Sequence, residues 1–336
     1  MNKPSLLLDV KNLRVFFYND NKEELHAVDG VTFQVYCGET VALVGESGCG
    51  KSVTSLALLR LIDSNGRITG GEITFAGINL LHLSKKQMQG IRGKDISMIF
   101  QEPSTALNPV FTIGDQIMET IILHQHVNQK EARDIAEGML KIAGIPDPGK
   151  RLLEYPHELS GGMKQRAMIA MALSCRPKLL IADEPTTSLD VTIQAQILEL
   201  IRDLQQKLNM AVILITHDLG IVADMANRII VMYAGKIVEE GNRQDIFKDP
   251  SHPYTIGLLR SIPRLDIHQE KLSSIPGMVP DPVHFPSGCR FRNRCPLADP
   301  LCQQEPSSAL ISDHHFVYCH HWKRKAELQA ESFTNE

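Results

Sequence analysis

The run GESGCGKS, Gly45 to Ser52, fits the pattern G-x-x-x-x-G-K-[ST] and lies between an apolar stretch, TVALV, and a helix-like one. In that setting the chemistry is phosphate binding. The loop formed by Gly45, Glu46, Ser47, Gly48, Cys49 and Gly50 is predicted to curl so that successive N–H groups face phosphate oxygens. The helix that follows adds its positive N-terminal end. Lys51 neutralises the β- and γ-phosphates, and Ser52 ligates Mg²⁺. A second run, KLLIADEP, is an apolar strand ending in two carboxylates. Asp183 is placed to hold Mg²⁺ through water, and Glu184 is the candidate base or water-orienting group for hydrolysis. A third, LSGGMKQR, opens a helix with Ser160, Gly161 and Gly162, whose N–H groups and hydroxyl make a second anion site. Since a phosphate loop already exists, this second site must serve the same kind of phosphate from elsewhere.

These residues need a frame that brings strand ends and helix starts together. Short runs rich in β-branched and apolar residues, LLLDV, VTFQV, TVALV, GGEITF and ISMIF, read as strands. From about Thr112 to Cys175 the pattern is mostly helical. KLLIA, a helix from Val191 to Leu208, AVILI, a helix after His217 and RIIVMY then alternate. That alternation predicts a parallel α/β core interrupted by a helical insertion. Beyond about Pro250 the composition shifts to Pro, Cys, His and Gln, which marks a boundary. A length of 336 residues suits two domains, and 43% hydrophobic with 22% charged residues suits a soluble globular chain. The formal charge of −4 gives no basic footprint, so nucleic acid is not an expected partner. The opening MNKPSLLLDVKNL is too short in its apolar run for a signal peptide. No run of about 18 apolar residues occurs, so no membrane span is predicted and a cytosolic location is expected.

The boundary encloses a concentration of thiols. Of seven cysteines, Cys289, Cys295, Cys302 and Cys319 fall in the last seventh of the chain. A reducing compartment argues against disulfides. Four thiolates suit either a [4Fe–4S] cluster or tetrahedral Zn²⁺. Structural zinc sites usually pair cysteines two to four residues apart. Here five, six and sixteen residues intervene, a looser wrap that favours the cluster. Cys295 precedes Pro296, as the last ligand does in some ferredoxin runs. Arg290, Arg292 and Arg294 could offset the centre's negative charge for either metal. His314, His315, His320 and His321 lie near Cys319 and keep a mixed Cys/His zinc site open. The expected role is structural, holding together a tail with little core of its own.

With LSGGMKQR beside the two phosphate motifs, the sequence resembles an ATP-binding-cassette (ABC) ATPase over roughly residues 6–250. The family's other marks appear in order. Gln101 closes ISMIFQ, SLD (Ser188–Asp190) follows Glu184, and His217 follows AVILIT. Phe17, in LRVFF, matches the aromatic residue that stacks on adenine. The resemblance implies a P-loop NTPase of ABC type, with a parallel-sheet core, an antiparallel β subdomain and a helical insertion, plus a small Cys-rich C-terminal extension. It implies an ABC nucleotide-binding domain over 1–252, with its helical subdomain at about 102–176, and an extension over 253–336. It assigns Gln101 to Mg²⁺ and nucleotide sensing, His217 to the γ-phosphate, and Asp190 to the nucleotide set. It also implies that Ser160–Gly162 of one subunit cap the ATP held by the other. Met163 stands where the family usually has glutamine, at the edge of the anion site.

QEPSTALNPVFTIGDQI, SHPYTIGLLRSIPRL and IPGMVP are similar to stretches of ATPases that drive dipeptide and oligopeptide import in prokaryotes. That similarity implies a second ABC ATPase subunit forming a heterodimer, two membrane permease subunits and an extracytoplasmic peptide-binding protein. It implies a peripheral position at the cytoplasmic face of the inner membrane, with ATP and Mg²⁺ as ligands. It also implies a [4Fe–4S] cluster on the four tail cysteines, with Zn²⁺ as the alternative. Nickel importers share much of this layout. ABC ATPases of DNA repair or translation, and a redox-sensing iron–sulfur protein that uses ATP, are the readings from other classes.

Overall fold

The computed structural model describes residues 5–187, 189–261 and 275–330. Ser188 of SLD and residues 262–274, including the end of SHPYTIGLLRSIPRL, lie outside the described residues. In chain order the elements used below begin with β1 (Leu6–Tyr18), β2 (Glu24–Tyr36), β3 (Thr40–Val44), α1 (Lys51–Leu58), β4 (Gly66–Phe75) and β5 (Ile96–Ile99). There follow α2 (Ile113–Gln125), α3 (Gln129–Ile142), α4 (Gly161–Leu173), β6 (Leu179–Asp183), α5 (Val191–Leu208) and β7 (Ala211–Ile215). The last are β8 (Arg228–Tyr233), β9 (Lys236–Asn242), α6 (Pro253–Arg260), β10 (Ala309–Ser312) and β11 (His315–Val317). The chain divides into two compact units, each discontinuous in sequence.

The first unit comprises Met1–Leu7, Val35–Thr40 and Asn79–Ile215. Its strands lie in the order β7-β6-β5, all parallel, with Leu179 opposite Ala211 on one side and Ile96 on the other. Every residue of these strands is buried, as expected of parallel strands covered on both faces. The helical part packs around Ile113, Ile117 and Ile121 of α2, Ala132, Ala136 and Leu140 of α3, and Ala167 and Ala170 of α4. A step of three or four between apolar residues puts each set on one helix face. Thr112 and Asp115 form a capping box that starts α2, and Asn128 with Glu131 does the same for α3. Asp190 caps α5, which ends where Asn209 turns left-handed.

The second unit comprises Leu8–Gln34, Val41–Ile78 and Thr216–Glu336. In one sheet β1 lies between β2 and β4, antiparallel to β4 with Val10 opposite Ile73. The other sheet runs β10-β11-β9-β8-β3, with β3 and β8 parallel and the remaining pairs antiparallel. Its core gathers Val44, Val231, Tyr233, Tyr254 and Phe291. The cysteine-rich tail therefore has apolar anchors that its composition hides: Phe291 and Val317 are buried, and β11 pairs with β9. A tail with few apolar residues gains a core by lending them to a larger one.

Glu239 on β9 is fully buried. Its carboxylate accepts from the backbone N–H of Ser251 (2.7 Å) and of His252 (2.9 Å), and pairs with His315 Nε2 at 2.8 Å. Three acceptor contacts make this buried acid tolerable and tie β9, the start of α6 and β11 together. Among the described residues, no helix is long and apolar enough to cross a membrane.

Candidate functional site

In the second unit, β3 leads through Gly45–Gly50 into α1, the strand–loop–helix order expected of a phosphate loop. Two of its glycines are required by geometry. Gly45 has φ +152° and a Cβ there would lie 2.2 Å from the Met232 carbonyl oxygen. Gly50, the N-cap of α1, has φ +100° and would meet the Ala27 carbonyl at 2.4 Å. Lys51 is buried, and its Nζ donates to the carbonyl oxygens of Gly45 (2.8 Å) and Glu46 (3.0 Å). The ammonium thus sits inside the curl of its own loop, a cradle whose charge suits an anion. Burial pushes the Cys49 thiol up, with Lys51 opposing the rise. Ser52 is the second residue of α1. Phe17 is half-buried on β1, and its ring lies close over Gly66, 2.6 Å from where a Cβ would stand. His217 is exposed just before the turn in which Asp218 N donates to Thr216 Oγ1.

In the first unit, Asp183 is buried at the end of β6 and Glu184 follows with φ +46°. The Glu184 N–H donates to the Ile215 carbonyl, which fixes that turn. Gln101, two residues past β5, is brought to Glu184: its Nε2 donates to Glu184 Oε2 at 2.9 Å. Thr187 Oγ1 donates to the same oxygen at 2.8 Å. Ser160 is the N-cap of α4 and accepts from Met163 N–H, while Ser160 and Gly161 are exposed. Met163, in the first turn of α4, packs against the helical core. Asp190 is exposed and accepts from Ile193 N–H as the cap of α5.

The four tail cysteines belong to the second unit, and each carries a free thiol. Cys289 N–H donates to the Cys302 carbonyl (3.0 Å), closing the loop between them. Arg292 N–H donates to the Cys289 carbonyl (3.2 Å), and the N–H of His321 lies 3.3 Å from Cys319 Sγ. Burial raises the Cys289 thiol, raises Cys295 to about 11 and raises Cys319 to about 12, and the neighbouring sulfurs add to each rise. Sulfurs that repel one another as anions, with a backbone donor aimed at one of them, form a donor set suited to a cation. Asp299, Cys302 and His321 also offer three ligand atoms within 4.8 Å of one another.

The tail arginines do something the sequence reading did not foresee. Arg294 makes a two-pronged pair with Glu46 of the phosphate loop, Nη1 to Oε2 at 2.7 Å and Nη2 to Oε1 at 3.1 Å. Arg290 bonds Asp29 and the Ala234 carbonyl. These guanidinium groups are directed at carboxylates and carbonyls of the second unit rather than at the centre's charge. Tyr254, within SHPYTIGLLR, accepts from Glu46 N–H at 2.8 Å through its hydroxyl. Gln165, in the signature helix, donates to the Pro185 carbonyl next to Glu184 at 2.5 Å. Gln165 lies between Lys164 and Arg166, so nothing local in the sequence marks it. An aromatic hydroxyl beside Ser–His–Pro was the available signal for Tyr254.

A strand–phosphate-loop–helix unit, with a mixed sheet and a separate helical layer, defines an ABC-type P-loop ATPase. The comparisons agree. Residues 28–187 match the family model described as ABC transporter, and residues 238–302 match "Oligopeptide/dipeptide transporter, C-terminal region". The chain is 53% identical to the dipeptide transport ATP-binding protein DppD of Bacillus subtilis (strain 168), covering 96% of each chain. It is 51% identical to the protein of the same name in Escherichia coli (strain K12), over 94% of this chain and 96% of that one. The dimeric, post-hydrolysis state of the ATP-binding cassette MJ0796 bound to ADP and Pi superimposes with a TM-score of 0.64. That match has 28% identity and covers 70% of this chain and 99% of the other. The chain belongs to the ATP-binding subunits of ABC transporters.

Proposed function

We propose that this chain hydrolyses ATP to power import of dipeptides or oligopeptides through a membrane permease. The observation that carries the reading is the likeness, along nearly its whole length, to peptide transport ATP-binding proteins, including the C-terminal region that bears their name. The nucleotide-binding part spans 1–252 with its helical subdomain at about 102–176, and 253–336 is the importer extension. Phe17 stacks on adenine, the Gly45–Ser52 loop and Lys51 hold the phosphates, and Ser52, Gln101 and Asp183 serve Mg²⁺. Glu184 takes the proton from the attacking water, with His217 at the γ-phosphate. The exposed N-terminus of α4, with Ser160, Gly161 and Gly162, and the neighbouring Asp190 serve the ATP of a second ATPase subunit. ATP with donors on both sides draws the pair together, and loss of the γ-phosphate releases it. Two permease subunits and an extracytoplasmic peptide-binding protein complete the assembly at the cytoplasmic face of the membrane. Tagged protein drawn from detergent-solubilised membranes is expected to bring two integral subunits and a second ATPase. Cells lacking this chain are expected to lose peptide uptake. Intact peptide uptake with lost nickel uptake would assign the sister class instead, and recovery without membrane subunits would remove transport altogether.

Cys289, Cys295, Cys302 and Cys319 are read as the ligands of a [4Fe–4S] cluster. The backbone N–H of His321 aimed at the Cys319 sulfur supports this, because such a group stabilises metal-bound thiolate. When bound, the group cross-links the tail. A second reading, zinc on Asp299, Cys302 and His321, is favoured by the close grouping of those three ligand atoms. Protein purified anaerobically is expected to be brown, with about four irons per chain. A colourless preparation with one zinc would replace the cluster by zinc, and loss of that zinc in Asp299→Asn would place it on the second set.

A further inference from the structure

We propose that Arg294 is a positioning residue through which the cysteine tail sets the nucleotide affinity of the phosphate loop. The proposal rests on reading Gly45–Ser52 as the ATP site and the four cysteines as a metal centre. Arg294 has only 5% of its side chain exposed, and each of its five N–H donors has an acceptor. Nε donates to the Pro276 carbonyl (2.8 Å), and Nη1 to Glu46 Oε2 (2.7 Å) and Tyr233 Oη (3.3 Å). Nη2 donates to Glu46 Oε1 (3.1 Å) and the Ile275 carbonyl (3.1 Å). A planar fork buried with all its donors matched has one position, and it fixes the Glu46 carboxylate in that position too. Glu46 is the second residue of the phosphate loop, and its N–H is held from the same side by the Tyr254 hydroxyl. The back of the loop is thus held by residues 208 and 248 positions away.

The other end of this connection is the metal centre. Arg294 directly precedes Cys295, and both belong to a tight turn in which Arg294 N–H bonds the Phe291 carbonyl at 2.9 Å. Adjacent Cα atoms are about 3.8 Å apart, so a displacement of Cys295 is passed to Arg294 with little loss. A second link runs in parallel. Arg290, which follows Cys289, bonds the Ala234 carbonyl. The next residue, Gly235, donates its N–H to the Cys49 carbonyl of the loop at 3.0 Å. Two candidate ligands therefore each carry an arginine that reaches the phosphate loop or the turn bonded to it. With the thiols gathered on a metal, both arginines are held. With the metal gone, the four thiols have no common partner, the turn relaxes, and the loop loses its backing.

The test measures ATP affinity by calorimetry on the full chain, metal-loaded and metal-stripped, with metal content determined on each sample. Loaded Arg294→Gln is expected to bind ATP about tenfold more weakly than loaded wild type, from loss of a buried charge-assisted pair. It should keep wild-type metal content and, assembled with its partners, an unchanged kcat with a raised KM. Stripping wild type is expected to cost a similar factor, of about ten, and stripping Arg294→Gln less than about twofold more. Arg294→Lys, which keeps the charge but not the fork, is expected to recover little. Should Arg294→Gln fail to fold, Glu46→Gln serves, and its affinity is expected to be insensitive to stripping. Unchanged affinity in Arg294→Gln, or a full tenfold loss on stripping either variant, overturns the proposal. Wild type that carries metal but binds ATP equally well without it sinks this control alone. Wild type that carries no metal sinks the metal-centre reading and the control with it.

Discussion

Glu184→Gln is expected to lower ATP turnover about 10²- to 10⁴-fold while leaving ATP binding in place. The side chain stands at the end of β6 in a left-handed turn, φ +46°, held by its N–H bond to Ile215. Its Oε2 already accepts from Gln101 and Thr187, so the group is fixed before nucleotide arrives. Glutamine has the same shape and can still accept from both donors through its amide oxygen. It cannot take a proton from water. The variant thus removes the base and little else, and bound ATP should hold the subunit pair closed. Phosphate release by the assembled complex, measured beside ATP binding, decides the matter. Near-wild-type turnover would take the role of base away from Glu184.

Glu239→Ala is expected to destabilise the second unit by about 3–5 kcal/mol, the cost of leaving buried polar partners without their charge. The Ser251 and His252 N–H groups and His315 would each lose their acceptor inside a fully buried site. Glu239→Gln retains acceptors for two of the three and should lose less. Denaturant unfolding followed by tail-specific hydrogen exchange will show the loss at β11 and α6 first. A change below about 0.5 kcal/mol would mean that water reaches the site and replaces the carboxylate.

Much of this was legible in order along the chain. The helix read from Val191 to Leu208 has those bounds, and the strands AVILI and RIIVMY lie where their apolar runs put them. The phosphate loop is where its pattern placed it, because a tight turn between strand and helix is a local event. What escaped were convergences set by sheet order. Arg294 looks like one of three alternating charges in CRFRNRC, and nothing near it names Glu46. The two meet because β11 docks on β9 and Phe291 enters the core beside Tyr233 and Tyr254. Glu239 likewise reads as one acid of a surface pair in IVEEG until β11 covers it. Gln101 and Glu184 were both singled out, yet their contact depends on β5 and β6 being neighbours, which periodicity alone does not state.

The discontinuity of the second unit has a consequence for synthesis. Its first strands and the phosphate loop leave the ribosome by residue 78, but β9 finds its outer neighbour only when residues 315–317 emerge. At roughly 5–20 residues per second that interval is on the order of 12–50 s. In the last part of it, the edge of β9 and the tyrosines Tyr233 and Tyr254 wait for Phe291 and Val317. The intervening stretch Asn79–Ile215 is nearly continuous, rich in local helix contacts, and can condense meanwhile. The nascent chain therefore matures from its middle outward, and the half that carries Lys51 is the last to become native.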